Sequence, residues 1–173
     1  MGPEIAASAT PSPITASWAP SVRAAGLADL PAVCRLINQA YVVERDFVDG
    51  ERTSLTEVAR LAEDGVFLVL DGTDGALAAA VHVHTAGPRG RLSMLAVAPH
   101  LQGHGLGQRL VAVVEALCAA HGCRVVALDV VNLREELGPW YRRLGYREVG
   151  TAPFDHRPTR RPCHFVQMEK PLA

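Results

Sequence analysis

Residues 92–110 read LSMLAVAPHLQGHGLGQRL, and three pieces of structure follow one another in this stretch. An apolar run suited to a buried strand comes first, and Pro99 ends it. Glycines then occupy alternate positions over residues 103–107. From Leu106 onward, apolar residues recur every three or four positions as far as Cys118, which is typical of one helix face. The stretch predicts a strand, a glycine-rich turn and the start of a helix.

The glycine-rich turn predicts an anion site. The first amide N–H groups of a helix have no intrahelical partner, and the peptide dipoles make that end positive. Glycines remove the side chains that would keep a phosphate away from these amides. We therefore interpret residues 102–107 as a pyrophosphate cradle. The spacing fits neither the dinucleotide fingerprint G-x-G-x-x-G nor a P-loop, because no Gly-Lys-Ser/Thr follows. The alternative is a tight strand-to-helix turn with no ligand.

Two motifs resemble signatures of the GNAT N-acetyltransferase superfamily. Gln102-x-x-Gly105-x-Gly107, preceded by Leu95-Ala96-Val97-x-Pro99, is similar to the acetyl-CoA signature of that family. Trp140-Tyr141-x-x-x-Gly145-Tyr146 resembles its second signature, Leu-Tyr-x-x-x-Gly-Phe. The resemblance covers roughly residues 21–171.

The resemblance implies an α+β fold, an α/β/α sandwich around a mixed, mostly antiparallel sheet that is splayed at its central strand. It implies acetyl-CoA as cosubstrate and direct attack by an acceptor amine. No metal is expected, because the cysteines show no paired spacing, and the alternative is a zinc site formed by Cys163, His164 and His156. The pantetheine arm is expected along the splayed strand and the pyrophosphate at the glycine turn. The residues thereby assigned to the cofactor are Leu95, Ala96, Val97, Gln102, Gly103, His104, Gly105, Leu106, Gly107, Gln108, Asn132 and Tyr141.

The resemblance also gives Tyr141 a catalytic role. It is expected to donate a proton or a hydrogen bond to the departing CoA thiolate, since a phenol with a reference pKa of about 10 suits that task. The alternative is packing beside Trp140. The interval from Asn132 to Tyr141 is longer than in the commonest family members. We expect Gly138-Pro139 to absorb the extra length by interrupting a helix over residues 133–144.

No single residue stands out as the general base, because the start of the central strand carries no carboxylate. The candidates are Glu44, Asp46, His82 and His84, of which Glu44 is preferred. The two histidines are otherwise expected on a solvated strand face. In the family, the connection between the first two helices forms one wall of the acceptor pocket. Glu44, Asp46 and Phe47 are therefore also expected to contact the acceptor, and the alternative is a solvated charged loop.

A proline-braced basic loop spans residues 153–162 and contains Arg157, Arg160 and Arg161. Guanidinium groups bind carboxylates through two parallel hydrogen bonds. The loop is therefore expected to contact the acceptor through Arg157. The acceptor is expected to be a small metabolite with a primary amine, and one that also bears a carboxylate is slightly favoured. The alternative is a solvated loop that serves solubility.

Composition and length limit the partners, the location and the domain number expected of this protein. The 173 residues carry a formal net charge of −1, which argues against a nucleic-acid surface. No apolar run approaches the ~20 residues that span a membrane. Four cysteines without a C-x-x-C pair are expected to be reduced core thiols of a cytoplasmic protein. The length predicts one domain over residues 21–173, preceded by a flexible tail over residues 1–20.

The resemblance therefore implies an N-acetyltransferase that acts on a small-molecule amine, and it leaves a homodimer open. Two alternatives also stay open. One is an acetyltransferase for protein lysines or N-termini, and the other is a non-catalytic domain that binds acyl-CoA as a sensor. The missing strand carboxylate favours the sensor, whereas Tyr141 and the complete glycine signature favour the enzyme.

Overall fold

The structure, a computed structural model, describes residues 21–173, and the tail expected over residues 1–20 lies outside the described residues. The strands are β1 (Val22–Ala24), β2 (Val66–Asp71), β3 (Leu77–Ala86), β4 (Arg89–Val97), β5 (Val125–Val131), β6 (Arg147–Pro153) and β7 (His164–Pro171). The helices are α1 (Leu30–Ala40), α2 (Leu55–Asp64), α3 (Leu106–Ala120) and α4 (Leu137–Arg143). The strands form one sheet in the order β1-β2-β3-β4-β5-β7-β6.

Helices cover both faces of this sheet. α1 and α2 pack on one face, and α3 and α4 pack on the other. Side chains of a strand alternate between the two faces, so Phe67 and Val69 of β2 enter the first core while Leu68 and Leu70 enter the second. A strand between two cores is apolar at nearly every position, as β2 is. The predicted α/β/α sandwich is confirmed.

β4 and β5 separate along their length. They pair in parallel only from Arg89 to Arg91 of β4, opposite Val125 to Ala127 of β5. Beyond Arg91, β4 continues its pairing with β3, and β5 remains paired with β7 as far as Val131. The two strands therefore diverge toward their carboxyl ends. The predicted mixed, mostly antiparallel, splayed sheet is confirmed.

An extra residue in β4 lies where the two strands diverge. Ala80 and His82, which are two positions apart in β3, pair with Ala96 and Ser93, which are three positions apart in β4. Met94 lies inside this bulge with φ of 53°, a left-handed conformation that costs a non-glycine residue about 1 kcal/mol. A bulge bends its strand and increases the local twist. The bulge in β4 is therefore a local cause of the splay.

The prediction that His82 lies on a solvated face is wrong, because its side chain is 3% exposed. Nε2 lies 2.9 Å from the Leu61 carbonyl, and Nδ1 lies 3.0 Å from Ser93 Oγ. A carbonyl only accepts, so Nε2 carries the proton and Ser93 donates to Nδ1. His84 likewise contacts the carbonyl of Asp64 at the end of α2. Side chains of β3 therefore alternate between two buried cores, rather than between a core and solvent.

The burial of His82 should make the fold sensitive to mild acid. Burial lowers the pKa of His82 from its ordinary 6.5. Below about pH 6.5 the unfolded chain therefore binds a proton that the folded chain does not, and stability is lost as the pH falls. The loss from one such group is up to about 1.4 kcal/mol per pH unit.

We expect the urea midpoint of the wild-type protein to fall between about pH 7.5 and about pH 5.5, and the midpoint of His82→Gln to fall less. His100→Gln removes an exposed histidine and should behave like the wild-type protein. An equally steep fall in His82→Gln would contradict the assignment.

The helix predicted over residues 133–144 begins later than expected, at Leu137. Residues 133–136 form turns instead. Pro139 lies in the first turn of α4, where a missing N–H breaks no helical hydrogen bond. The Gly138-Pro139 pair therefore lies at the start of the helix and does not interrupt it. The extra length between Asn132 and Tyr141 is taken up by the preceding turns.

Candidate active site

The glycine turn joins β4 to α3 as predicted. A short 3₁₀ helix, Pro99–Leu101, follows β4, and the Gln102 side chain then donates through Nε2 to the Val97 carbonyl at 3.2 Å. Gly103 and Gly105 both have φ of 79°. This left-handed conformation favours glycine, because any other residue would bear a Cβ in conflict with its own backbone.

α3 presents free amides at its start. Its first main-chain hydrogen bond runs from Arg109 N to the Gly105 carbonyl at 3.0 Å. The N–H groups of residues 106–108 therefore have no helical acceptor, and they lie at the positive end of the helix dipole. A Cβ placed on Gly103 or Gly105 would meet no atom within 4 Å. The space beside both glycines is therefore open, and they line the same cavity as residues 106–108.

β4 has a free edge beside the same turn. Ala98 N donates to the Ala78 carbonyl at 2.9 Å, on the β3 side. Consecutive N–H groups of a strand point to opposite edges, so the Val97 N–H points toward β5. β5 does not pair with β4 at this level. Gln102 binds the Val97 carbonyl on that edge, and the Val97 N–H is left as a donor facing the gap.

A cavity of about 830 Å³ lies at the diverging end of β4. The glycine turn, α3 and α4 line it from one face of the sheet, and Ala40 and Tyr41 line it from the α1 face. The cavity therefore lies beside the unpaired end of β4 and is lined from both faces of the sheet. Its volume lies within the range of about 300–1,000 Å³ that is typical of small-molecule sites.

Most residues assigned to the cofactor line this cavity: Leu95, Val97, Gln102, Gly103, Gly105, Leu106, Gly107, Gln108 and Tyr141. Three do not. Ala96 is buried in the core under α1, and His104 is exposed with its ring nitrogen bonded to carbonyls of the turn. Asn132 pairs with His164 through its main chain at 3.0 Å and its side chain at 2.8 Å. For these three residues, cofactor contact stays a prediction.

Tyr141 lies in the cavity wall and is 5% exposed. Its ring makes edge contacts with Trp140 and Tyr146, with ring centroids 4.7 and 5.5 Å apart. Burial raises the pKa of Tyr141, nearby Tyr41 raises it further, and the Arg134 guanidinium opposes the shift. The hydroxyl therefore stays protonated and remains a hydrogen-bond donor at any working pH.

Glu44 lies behind the cavity wall and is also 5% exposed. Arg134, which lines the cavity, donates through Nη1 to Glu44 Oε1 at 3.3 Å, and Arg52 Nε lies 4.0 Å from Oε2. Burial raises the pKa of Glu44, and the two guanidinium groups oppose the shift. Glu44 itself does not line the cavity, but it is hydrogen bonded to Arg134, which does.

The other predicted acceptor contacts lie farther from the cavity. Phe47 is buried in a small apolar cluster with Val48 and Val131. Arg157 donates through Nη2 to the carbonyls of Asp49 and Glu51. Neither residue lines the cavity, so their contact with an acceptor stays a prediction.

Sequence reasoning missed several residues that line the cavity: Ala40, Tyr41, Leu101, Arg134, Glu136, Leu137, Trp140, Arg143 and Leu144. Tyr41 carried a signal, because it ends the apolar face of the first helix beside the charged connection. Arg134 carried none, because its buried partner Glu44 is 90 positions away in the chain. A pairing at that separation leaves no trace in local spacing.

Two kinds of feature were not found among residues 21–173. No group of three or more His, Cys, Asp or Glu side chains is placed to hold a metal ion. No described helix is both long enough and apolar enough to cross a membrane.

Solved structures resemble this fold over most of its length. The ribosomal-protein-S18-alanine N-acetyltransferase of Escherichia coli has a TM-score of 0.73 at 20% identity, over 88% of this chain and 94% of that one. A phosphinothricin acetyltransferase of Sinorhizobium meliloti, solved in complex with AcCoA, has a TM-score of 0.71 at 19% identity, over 89% of each chain. Ard1 of Thermoplasma volcanium has a TM-score of 0.73 at 16% identity, over 88% and 97%.

At these identities the structures establish the fold alone. No curated protein sequence matches the chain. The family itself is established by a sequence match over residues 30–146, which contain the splayed strand, the glycine turn and Tyr141. The chain belongs to the acetyltransferase (GNAT) family.

Proposed function

We propose that this protein transfers an acetyl group from acetyl-CoA to a primary amine. The observation that supports this most strongly is the cavity at the diverging end of β4, which is lined both by the first residues of α3 and by Tyr141. Acetyl-CoA would supply a thioester whose acyl carbon an amine attacks directly, so no nucleophilic side chain is required.

Three features of the chain fit acetyl-CoA. The free amides of residues 106–108, at the positive end of α3, suit a pyrophosphate. The unpaired edge of β4 at Val97 suits the amide groups of a pantetheine arm, since a strand donor away from water needs an acceptor. A Cβ on Gly107 would lie 3.6 Å from Trp140 and 3.7 Å from Val97. A larger side chain at Gly107 would therefore fill part of the space between Gly107 and the side chains of Trp140 and Val97.

Two groups of the chain can act on charge that develops in the reaction. The Val97 N–H faces the gap and can donate to the acyl oxygen as negative charge builds on it. The Tyr141 hydroxyl, protonated because burial raises its pKa, can donate to the departing thiolate. Val97 and Tyr141 both line the cavity.

The glycine turn gives a direct test of cofactor binding. We expect Gly105→Ala to raise the acetyl-CoA Kd about tenfold or more, because its Cβ projects into the open space before the amides. Gly122→Ala is a matched control at the other end of α3. Gly122 has φ of 78°, Gly105 has φ of 79°, and neither has an atom within 4 Å of a Cβ. Both variants should lose similar stability, about 1–2 kcal/mol. An equal Kd for both in calorimetry would argue against the cradle.

Turnover is tested separately. Release of CoA from acetyl-CoA, measured across a panel of primary amines, should exceed release without an amine. Tight acetyl-CoA binding with no amine-dependent release would favour the non-catalytic sensor domain.

A further inference from the structure

The position of Tyr141 depends on the side chains packed around it. α4 has seven residues and ends at Arg143, which makes it about two turns long. A helix this short is not stable on its own in water, so tertiary contacts determine where it lies. Tyr141 is the residue that α4 buries. A hydroxyl that must meet a departing thiolate therefore relies on the neighbours that hold its ring.

Two aromatic side chains contact the Tyr141 ring. The Trp140 ring lies 4.7 Å away, centroid to centroid, with the two planes at 77°, and the Tyr146 ring lies 5.5 Å away at 72°. Near-perpendicular pairs are favourable, because the positive edge of one ring faces the negative face of the other. The family signature that this stretch resembles has leucine at the position of Trp140. The contact between Trp140 and Tyr141 is therefore specific to this chain and is not part of that signature.

The indole of Trp140 also reaches the start of α3. Its Cζ2 and Cη2 atoms both lie 3.6 Å from the position that a Cβ on Gly107 would take, and Val97 Cγ2 lies 3.7 Å from the same position. All three residues line the cavity. A leucine side chain has no atom as far from the main chain as Cζ2 or Cη2, so leucine at position 140 would leave a gap beside Gly107.

We propose that Trp140 is a positioning residue, whose indole packs between Tyr141 and the start of α3 and holds the Tyr141 hydroxyl where the thiolate leaves. One edge of the indole rests beside Gly107, at the end of α3 where the pyrophosphate is proposed to bind. Trp140 also contacts the ring that carries the proposed donor. Trp140 thus sets the distance between the two ends of the cofactor site. This inference rests on the proposed acetyl transfer and adds to it the residue that orients its acid.

The first test replaces Trp140 with the residue of the family signature. We expect Trp140→Leu to lower kcat about tenfold, because a small displacement of a reacting group is costly in turnover. Acetyl-CoA Kd should stay within about threefold of the wild-type value, since the hydroxyl acts on charge that is absent from the ground state. Trp140→Phe keeps an aromatic ring beside Tyr141 and should retain kcat within about threefold.

A double-variant cycle shows whether Trp140 acts through the Tyr141 hydroxyl. Trp140→Leu/Tyr141→Phe should have the same kcat as Tyr141→Phe alone, because the group that Trp140 positions is already gone. Phe67→Leu is the control for lost packing. It removes an aromatic ring from the core under α1, outside the cavity, and should leave kcat unchanged. Urea unfolding of both leucine variants shows how much stability each has lost.

Fluorescence tests the place of the indole without turnover. The sequence has two tryptophans, and Trp18 lies outside the described residues. In a Trp18→Phe variant all tryptophan emission comes from Trp140. Adding CoA, which carries no acetyl group, should change that emission, because the indole lines the cavity that the cofactor is proposed to enter. Unchanged emission at a CoA concentration that calorimetry shows to be saturating would overturn the inference.

Three kinetic results would also overturn it while leaving acetyl transfer intact. The first is a kcat in Trp140→Leu within about threefold of the wild-type value. The second is a double variant whose kcat lies about tenfold below that of Tyr141→Phe, since additive losses mean that the two residues act independently. The third is an acetyl-CoA Kd that rises about tenfold at unchanged kcat, which would make Trp140 a cofactor contact only. Transfer to no amine at all would remove the proposed function and this inference together.

Discussion

Replacing Tyr141 with phenylalanine should lower kcat about 100-fold or more and leave acetyl-CoA affinity within about threefold of the wild-type value. The hydroxyl acts on negative charge that appears only as the thiolate leaves, so its loss is felt in turnover rather than in ground-state binding. The aromatic ring is retained, and with it the contacts to Trp140 and Tyr146. The measurement is steady-state kinetics with a good acceptor, together with acetyl-CoA calorimetry.

Tyr146→Phe is a matched control for this change. Tyr146 is buried beside Tyr141, does not line the cavity, and has a hydroxyl that lies beside the Glu115 carboxylate. The substitution removes the same atom from the same aromatic cluster. We expect kcat to be unchanged, because Tyr146 does not line the cavity. If Tyr141→Phe and Tyr146→Phe both keep kcat within about threefold, Tyr141 is a packing residue.

The parts of the site that the sequence predicted are local in the chain. The strand, glycine turn and helix start are consecutive, so their spacing alone determines where free amides and positive φ values occur. The Tyr141 signature is likewise short. The splay was predicted only through the family resemblance, because the point at which β4 leaves β5 depends on pairing between residues distant in sequence.

The parts that sequence reasoning missed depend on long-range packing. The alternating pattern of β3 could not show that His82 faces a second core. A period of two shows that successive side chains point to opposite faces of the sheet, but it does not show which face is exposed to solvent. The pairing of Asn132 with His164 depends on where β7 lies. The Glu44–Arg134 contact and the bridge between Val48 and Thr159 join residues about ninety to over a hundred positions apart.

Substitution of Glu44 is expected to have large effects on the stability of the protein and on the KM of the acceptor. Glu44→Ala removes the carboxylate between Arg134 and Arg52, whose side chains are both mostly buried. Arg52 would then lose the carboxylate beside it, and Arg134 would keep only its ion pair with the exposed Glu136, at 2.6 Å. Breaking a buried pair in this way typically costs about 3–5 kcal/mol, and we expect a loss of that size in urea unfolding. Glu115→Ala is the control, because it breaks the Glu115–Lys170 pair, which is also mostly buried but lies outside the cavity, and it should leave acetylation unchanged.

Glu44→Gln separates the two roles that Glu44 could have. Its side chain does not line the cavity, whereas that of Arg134 does, so we expect Glu44 to act by holding Arg134 in position. The variant should then raise the acceptor KM about tenfold or more, through loss of a charge-assisted hydrogen bond, with kcat largely kept. Burial raises the pKa of Glu44, so its protonation occurs at a higher pH than usual. The wild-type acceptor KM should therefore rise as the pH falls into that range, and that of Glu44→Gln should not.

The general-base role predicted from the sequence gives the opposite kinetics. A base that accepts the proton of the amine affects kcat, and its removal abolishes the acidic limb of the kcat profile. A kcat that falls about 100-fold in Glu44→Gln at unchanged acceptor KM, with loss of that limb, would show that Glu44 takes the proton itself. In that case the 3.3 Å contact to Arg134 would serve to keep a buried carboxylate ionised enough to accept it, since an adjacent guanidinium opposes the effect of burial on the pKa.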